Sequence, residues 1–298
     1  MMRVLLTGAT GYIGSAVAEA LQRAGHEVVG LARSDASAER LQARGISMRR
    51  GDLKEPQSLT EAARDAEAVV HTALTNDADA PEADRATVEA ILQALEGTGK
   101  PFIYTSGIWV YGNTGEAAAD EERPLDPTPL VAWRPANEQL VLDAARRGVR
   151  AIVIRPAIVY GRGGGIPASL VQAAREKATV RFVGEGSNRW PQVHVDDLAD
   201  LYVRALERAP AATLLNASSG PSVRVREVAE AASRAGGAAG RTESWPLEEA
   251  RRTLGPYADA LALDQQVSGE KAMKLLGWTP RANSMIEDLE HGSYLSVD

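Results

Sequence analysis

The sequence predicts a protein of the α/β class, in which a doubly wound parallel sheet is followed by a smaller C-terminal region. In the first half of the chain, short apolar runs typical of strands alternate with helical patterns, which is the order of right-handed βαβ units. Gly8, Gly11 and Gly14 lie between the first apolar run and the first helical pattern. After residue 156 the alternation weakens, and glycines cluster at 161–165 and 184–186, which indicates loops feeding a second region.

Each predicted strand is a short apolar run bounded by turn residues, and the five strands are residues 4–6, 28–31, 68–72, 102–105 and 151–154. Each predicted helix has apolar residues at helical spacing or a proline in its first turn, and the four helices are residues 15–24, 56–63, 82–96 and 134–147. Three of these helices are followed by a glycine, which is typical of a helix C-terminus, at Gly25, Gly97 and Gly148.

The composition excludes several functional classes. The net charge is −7, and no run of Lys or Arg is long enough to neutralise a row of phosphates, so nucleic acid is not an expected partner. The chain has no cysteine and only four scattered histidines, so neither a disulfide nor a metal site is expected. The apolar segment before Gly8 is too short for a signal peptide or a membrane span, and a cytoplasmic location is expected.

The glycine turn predicts a dinucleotide-binding site of the Rossmann type. Gly8 permits a tight turn, Gly11 lets the backbone approach a pyrophosphate, and Gly14 lets the helix pack close to the strand. The free N–H groups at the start of that helix favour an anion. The intervening residues Thr10, Tyr12 and Ile13 are included in the predicted site. The alternative is a glycine-rich turn that binds no ligand.

The end of the second predicted strand favours NADP(H) over NAD(H). An NAD site usually has an acidic residue there, which holds the ribose 2′-hydroxyl, but this chain has Ala32 followed by Arg33 and Ser34. Arg33 can hold a 2′-phosphate through a charge-assisted pair, and Ser34 can add a hydrogen bond. The alternative is that Arg33 is an ordinary solvated surface charge.

Seven motifs taken in order resemble the extended short-chain dehydrogenases/reductases, the epimerase/dehydratase group. They span nearly the whole chain and are TGATGYIG at 7–14, GDL at 51–53, VVHTA at 69–73, YTSGIWVYG at 104–112, RPAIVYG at 155–161, VHVDDLA at 193–199 and LGWTP at 276–280. The resemblance implies that Asp52 and Leu53 flank the adenine, Ala73 lines the pyrophosphate, Thr105 lies near the nicotinamide ribose, and Pro156 leads into the substrate region. Asp52 could instead cap the next helix, and Ala73 could be plain core.

This assignment divides the chain into two regions. Residues 1–160, completed by about residues 190–218, are expected to form the NAD(P)-binding Rossmann domain. Residues 161–189 and 219–298 are expected to form the smaller substrate-binding region. In the later part of the chain, Asp196 or Asp197 is expected to cap one helix and Ser222 another.

The chain departs from the family at the proton relay. The family uses Tyr-x-x-x-Lys on a helix, in which the Lys lowers the pKa of the Tyr and the Tyr passes a proton. Alignment of residues 129–138 puts Leu130 at the Tyr position and Arg134 at the Lys position. The family's Ser or Thr position falls on Gly107, with Ser106 one residue too early. Leucine cannot carry a proton, although Arg134 can still hold a ribose.

Four other residues are candidate proton donors, because the family places their segments beside the nicotinamide or the substrate cleft: Tyr111, Ser106, Tyr160 and His194. His194 is the one with an ordinary pKa near neutrality. Each also has a structural alternative, since the tyrosines can pack in a wall and His194 can be a satisfied histidine. Arg134 can likewise pair with Glu138, one helical turn away.

Three functions follow. The first is an NADP(H)-dependent oxidoreductase that acts on a small or medium, fairly apolar carbonyl, enone or alcohol. Trp109, Trp133 and Trp190 either build its pocket or are ordinary core. The second is a catalytically silent NADP(H)-binding sensor or partner protein, and the third a nucleotide-sugar epimerase or dehydratase. Helices 82–96 and 134–147 match the pair through which members of the family dimerise, so a homodimer is also expected.

Overall fold

A seven-stranded parallel sheet lies at the centre of the chain, of which the computed structural model describes residues 1–75 and 77–295. The strands in chain order are β1 (Arg3–Thr7), β2 (Glu27–Ala32), β3 (Ser47–Arg50), β4 (Ala68–His71), β5 (Pro101–Thr105), β6 (Arg150–Pro156), β7 (Ile158–Tyr160), β8 (Val180–Val183), β9 (Arg189–Trp190), β10 (Gln192–His194), β11 (Thr213–Ala217), β12 (Val223–Arg224) and β13 (Thr242–Trp245). The large sheet has the order β3-β2-β1-β4-β5-β6-β11, and β7–β10, β9–β12 and β8–β13 form three separate pairs.

The helices cover both faces of this sheet and build the smaller region beside it. In chain order they are α1 (Tyr12–Arg23), α2 (Asp35–Ala43), α3 (Pro56–Asp65), α4 (Ala80–Leu95), α5 (Arg134–Asp143), α6 (Gly165–Lys177), α7 (Val195–Arg208), α8 (Val225–Ala235), α9 (Leu247–Leu254), α10 (Tyr257–Ala262), α11 (Glu270–Leu276) and α12 (Met285–His291). None of the helices in the described ranges is both long enough and apolar enough to cross a bilayer.

The core has two layers because successive residues of a strand point to opposite faces of the sheet. Leu6 of β1 packs in the cluster that holds Leu21 of α1 and Leu201 of α7. Leu5 packs in the other cluster, with the α4 stripe of Val88, Ile91, Leu92 and Leu95. This arrangement confirms the predicted doubly wound α/β fold. A third cluster, which includes Val171 and Val228, joins α6 and α8 in the smaller region.

The five predicted strands are confirmed as β1, β2, β4, β5 and β6, and the four predicted helices as α1, α3, α4 and α5, with ends within about three residues. One end differs more, because α5 stops at Asp143 and a 3₁₀ turn, Ala144–Arg147, continues to Gly148. Gly148 has φ +76°, as expected for a left-handed cap. Local patterns did not predict α2, the mostly exposed β3, which lacks an apolar run, or the edge strand β11.

Both predicted caps in the later region are wrong. His194 caps α7, because its Nδ1 accepts the N–H of Asp196 at 3.1 Å. The carboxylate of Asp197 instead accepts the N–H groups of Arg281 and Ala282, both at 3.0 Å, and so holds the segment after α11. Arg224 precedes α8 without a side-chain cap, and α8 starts three residues after the predicted cap, Ser222.

A buried polar cluster connects β4, β5, α4 and α5. One carboxylate oxygen of Asp84 accepts hydrogen bonds from the Tyr104 hydroxyl at 2.7 Å and from Asn137 Nδ2 at 2.8 Å. The other lies 3.1 Å from His71 Nε2. Burial acts to raise the pKa of Asp84, but the hydrogen bonds of His71 and Tyr104 outweigh it, and the pKa is lowered. Asp84 therefore contributes to stability as a carboxylate.

Candidate functional site

The glycine turn connects β1 to α1 at the carboxyl edge of the sheet, next to β4, where the strand order reverses. Gly8 has φ +75°, and a Cβ there would lie 2.8 Å from the Ala73 nitrogen. A Cβ at Gly14 would lie 2.0 Å from the Gly8 carbonyl oxygen, so α1 can approach β1 only with glycine at that position. Gly11 is the N-cap residue of α1, and the first N–H groups of the helix have no partner within it.

A groove of about 510 Å³ opens from this turn, and we call it the cofactor groove. Eleven of the predicted cofactor residues line it, together with others, and these eleven are Gly8, Thr10, Gly11, Tyr12, Ile13, Gly14, Arg33, Ser34, Asp52, Leu53 and Ala73. Gly8, Gly11 and Gly14 carry no side chain beside the first amides of α1, at the start of the cofactor groove. The residues present therefore fit a dinucleotide diphosphate.

The far end of the cofactor groove carries positive charge. Arg33 and Arg40 line it, and Arg33 makes no hydrogen bond or ion pair with any described residue. Arg40 contacts the Ala36 carbonyl through Nε alone, at 3.2 Å, which leaves its terminal nitrogens free. Ser34 is the N-cap residue of α2 and accepts the Ser37 N–H at 3.2 Å. Ser34 thus has a structural role in addition to any contact with a ligand.

The alternative role of Asp52, capping the next helix, is wrong. Its Oδ1 accepts the Lys54 N–H at 3.0 Å, and α3 begins later, after Glu55. Leu53 packs with Leu59 in a small cluster under the groove. Both residues line the cofactor groove between β3 and α3.

A second depression of about 820 Å³, which we call the central cleft, continues from the cofactor groove. The two share four lining residues, Tyr12, Ile13, Leu74 and Thr75. The other predicted residues that line the central cleft are Thr105, Ser106, Arg134 and Pro156, together with Trp109 and Trp133. A ligand that occupies the groove can therefore extend into the cleft without crossing a wall.

Leu130 and Arg134, which stand where the family has its Tyr and Lys, both line the central cleft. Leu130 belongs to a 3₁₀ turn, Pro129–Val131, and Arg134 is the first residue of α5. Arg134 donates from Nη1 to the Thr105 carbonyl at 2.9 Å, and its guanidinium lies 4.6 Å from the centre of the Trp133 ring. It does not pair with Glu138, so that alternative is wrong.

Three residues that line the central cleft, Thr75, Ser106 and Tyr257, have hydroxyl groups without a hydrogen-bond partner among the described residues. Ser106 is 7% exposed, and its Oγ has no hydrogen-bond partner in the described part of the chain. The Tyr257 hydroxyl likewise has none there, and burial raises the pKa of Tyr257. Thr105 differs, because its Oγ1 is paired with the Tyr202 hydroxyl at 2.6 Å. Sequence reasoning missed Tyr257, since its segment carries no motif.

Three of the candidate donors do not line the cleft. Tyr111 is buried, donates to Asn216 Oδ1 at 2.8 Å and accepts from Arg155 Nη1 at 2.7 Å, and Arg155 in turn pairs with the buried carboxylate of Glu138. The Tyr160 hydroxyl is paired with the Asn283 carbonyl. His194 caps α7 and packs edge-on against the Tyr160 ring at 5.2 Å. These three side chains therefore have structural roles: both tyrosines pack with their hydroxyl groups bonded, and His194 is a satisfied histidine.

Tyr12 connects the start of α1 to the loop before α6. Its hydroxyl donates to the Gly161 carbonyl at 2.7 Å. A Cβ at Gly164 would lie 2.2 Å from the Tyr12 ring, so glycine is required where this loop crosses the ring. Burial raises the pKa of Tyr12, which keeps the hydroxyl protonated as a donor. Tyr12 thus helps to form the continuous floor of groove and cleft.

Comparison with known proteins identifies relatives of this chain. Residues 4–217 match the family described as the NAD dependent epimerase/dehydratase family. An uncharacterized protein of Schizosaccharomyces pombe is 33% identical over 98% of this chain and 100% of its own length. A 4-hydroxy-2-methyl-3-oxo-4-farnesyl-3,4-dihydroquinoline-1-oxide ketoreductase of Stigmatella aurantiaca is 27% identical over 94% of this chain and 92% of its own. Thermus thermophilus UDP-glucose 4-epimerase, solved with NAD, has a TM-score of 0.82 at 23% identity, covering 98% and 99%.

Proposed function

The chain belongs to the NAD dependent epimerase/dehydratase family, and from this premise we propose that it is an NADP(H)-dependent oxidoreductase acting on a carbonyl, enone or alcohol substrate. One observation carries the proposal: the cofactor groove runs into the central cleft, where hydroxyl groups without described partners stand among mostly apolar side chains. The similarity to a ketoreductase supports the reductive direction. The substrate oxygen would lie in the cleft.

NADP(H) is the proposed coenzyme because the groove ends in cations and lacks an acidic residue at the end of β2. Arg33 has no partner among the described residues, so its guanidinium is free to pair with a 2′-phosphate. A coenzyme held there would supply or accept the hydride at its nicotinamide ring. Arg134, fixed by the Thr105 carbonyl, would hold a ribose hydroxyl in place of the family's lysine.

Ser106 and Tyr257 are the proposed donors to the substrate oxygen. The phenol of Tyr257 is protonated at neutral pH, and burial raises its pKa further, so it can donate a hydrogen bond to the substrate oxygen. The Ser106 hydroxyl, buried without a partner in the described residues, gains one when a carbonyl oxygen enters. Leu130 contributes only apolar contact, since it has no titratable group.

A catalytically silent NADP(H)-binding protein is the second candidate, and Leu130 at the tyrosine position is the observation that favours it. It predicts tight coenzyme binding without turnover. A nucleotide-sugar epimerase or dehydratase also agrees with the family, but it would act without the usual Tyr and Lys.

The test is a coenzyme titration followed by a turnover screen. Calorimetry with NADPH, NADP⁺, NADH and NAD⁺ measures coenzyme affinity, and the loss of NADPH absorbance is then followed with aldehydes, ketones, enones and UDP-glucose. Oxidation of NADPH by a carbonyl compound is the expected result. Tight binding of NADPH without turnover of any class would favour the silent protein, and no heat with any coenzyme would contradict both.

A further inference from the structure

A third cavity, of about 570 Å³, lies in the smaller region, and we call it the distal cavity. It is formed by α6, β8, β13 and the α9–α10 segment, with Trp190 of β9 and Val225 of α8. Most of its large lining side chains are apolar or aromatic, and among them are Phe182, Trp190, Trp245, Leu254, Tyr257 and Leu261. A mostly apolar pocket of this size is typical of a small-molecule site.

The polar groups of the distal cavity are mostly satisfied by other parts of the chain. Arg181 pairs with Glu243 at 3.0 Å, and its guanidinium lies 5.5 Å from the Trp245 ring centre. The indole N–H of Trp190 donates to the Leu261 carbonyl at 3.2 Å. Lys177 also lines the cavity but is exposed to solvent. The interior therefore favours an apolar occupant over a phosphate or a sugar.

The distal cavity adjoins the central cleft. Ile166 and Tyr257 line both, so the two spaces meet at these two side chains. Trp109, which lines the cleft, packs edge-on against the Tyr257 ring at 5.9 Å. The proposed donor to the substrate oxygen thus stands at the boundary of an apolar chamber. An apolar group on a substrate whose oxygen lies beside Tyr257 is therefore next to the distal cavity.

We propose that the distal cavity receives an apolar substituent of the substrate, so that the preferred substrates are ketones or aldehydes with a long alkyl or aryl group. This inference rests on the proposed function, because it takes the reacting carbonyl to lie in the central cleft. The Phe, Trp and Leu walls supply the contact area, and each methylene that enters strengthens binding by about fourfold. Affinity therefore depends on chain length well beyond the carbonyl.

The experiment measures the binding of methyl n-alkyl ketones, from methyl propyl ketone to methyl nonyl ketone, to the NADP⁺-saturated protein by calorimetry. NADP⁺ cannot reduce a ketone, so this measurement does not require turnover. The same series is then assayed as substrates with NADPH. Leu254→Trp narrows the distal cavity, and Leu254→Glu makes it polar. Leu247→Trp and Leu247→Glu are matched controls, since Leu247 lies on the same helix with similar exposure but does not line the cavity.

In the unmodified protein we expect the affinity for the ketones to rise with the length of the alkyl chain. In both Leu254 variants the affinity should level off at a shorter alkyl chain. The Leu247 variants should behave like the unmodified protein. Circular dichroism and unchanged NADP⁺ affinity verify that each variant is folded. Affinity independent of chain length, or an identical rise in the Leu254 variants, would overturn the inference. If short ketones were still reduced in that case, the proposed oxidoreductase function would stand without the distal cavity. If affinity levelled off early in the Leu254 variants but no ketone were reduced, the result would support apolar binding in the distal cavity and contradict the oxidoreductase function.

Discussion

Replacing Arg33 with Ala should weaken the binding of NADPH much more than that of NADH. Arg33 lines the cofactor groove just after β2, and none of the described residues neutralises it. The 2′-phosphate is the part of NADPH that NADH lacks, so a contact to that group affects one coenzyme alone. The ratio of the two dissociation constants therefore reports on Arg33 directly.

The expected magnitude follows from the exposure of the side chain. A hydrogen bond to a charged group contributes about 1.5–3 kcal/mol, and solvent screening moves an exposed pair toward the lower limit. A loss of about 1.5 kcal/mol corresponds to about a tenfold higher dissociation constant for NADPH. Because Arg40 also lines the groove, it should reduce the loss of NADPH affinity in Arg33→Ala. The double variant Arg33→Ala with Arg40→Ala should lose more NADPH affinity. Arg33→Asp adds repulsion and should reverse the coenzyme preference.

The assay is calorimetry with both reduced coenzymes at low salt and again at about 1 M salt, where the Debye length is about 3 Å and the difference should shrink. Arg49→Ala is the control, because Arg49 on β3 already pairs with Asp65 at 2.7 Å and does not line the groove. Equal loss of NADPH and NADH affinity in Arg33→Ala would refute the assignment of the 2′-phosphate contact.

Three further predictions concern the cleft, the turn and the buried carboxylate. Ser106→Ala should lower the rate of NADPH-dependent carbonyl reduction roughly a hundredfold with unchanged NADPH affinity, because it removes a donor to the substrate oxygen. The control is Ser218→Ala, which should leave the rate unchanged. The Ser218 hydroxyl is buried and also lacks a described partner, but Ser218 does not line the cleft. Gly14→Ala places a Cβ 2.0 Å from the Gly8 oxygen, so urea unfolding should show a loss of about 1–3 kcal/mol, and calorimetry a weaker coenzyme; full affinity would contradict the geometry of the turn. Because the pKa of Asp84 is lowered in the folded protein, its carboxylate stabilises the fold at neutral pH, and this stabilisation is lost as the pH falls below about 5 toward that pKa. Asp84→Asn should therefore be less stable than the unmodified protein at neutral pH and should lose less stability on acidification. Identical profiles of stability against pH would contradict this role.

The sequence alone predicted the large sheet well, because its strands and helices are specified by local patterns. Buried parallel strands are continuous apolar runs, and the α4 stripe has its apolar residues on one face, so each element can be predicted without its partners. The glycine turn is equally local, since Gly8, Gly11 and Gly14 satisfy steric requirements set within one βαβ unit. The elements of the large sheet that were not predicted are α2 and β3, where local apolar periodicity is weak, and the edge strand β11.

The position of each hydroxyl group relative to the cleft could not be predicted, because it depends on segments far apart in the chain. Tyr111 has the more suggestive motif, yet Arg155 and Asn216 bind its hydroxyl in the core. Tyr257 has no motif, and the folding of the smaller region brings it to the cleft.

The chain's own sequence thus determined the fold class, the dinucleotide turn and the absence of the usual Tyr and Lys. Only the tertiary structure decided which polar groups stay unpaired and that a cleft and an apolar cavity meet at two shared side chains. The physical reason is that a hydrogen bond or a cavity belongs to a set of residues brought together by folding, whereas a strand, a helix or a glycine turn is largely encoded by neighbours in the sequence.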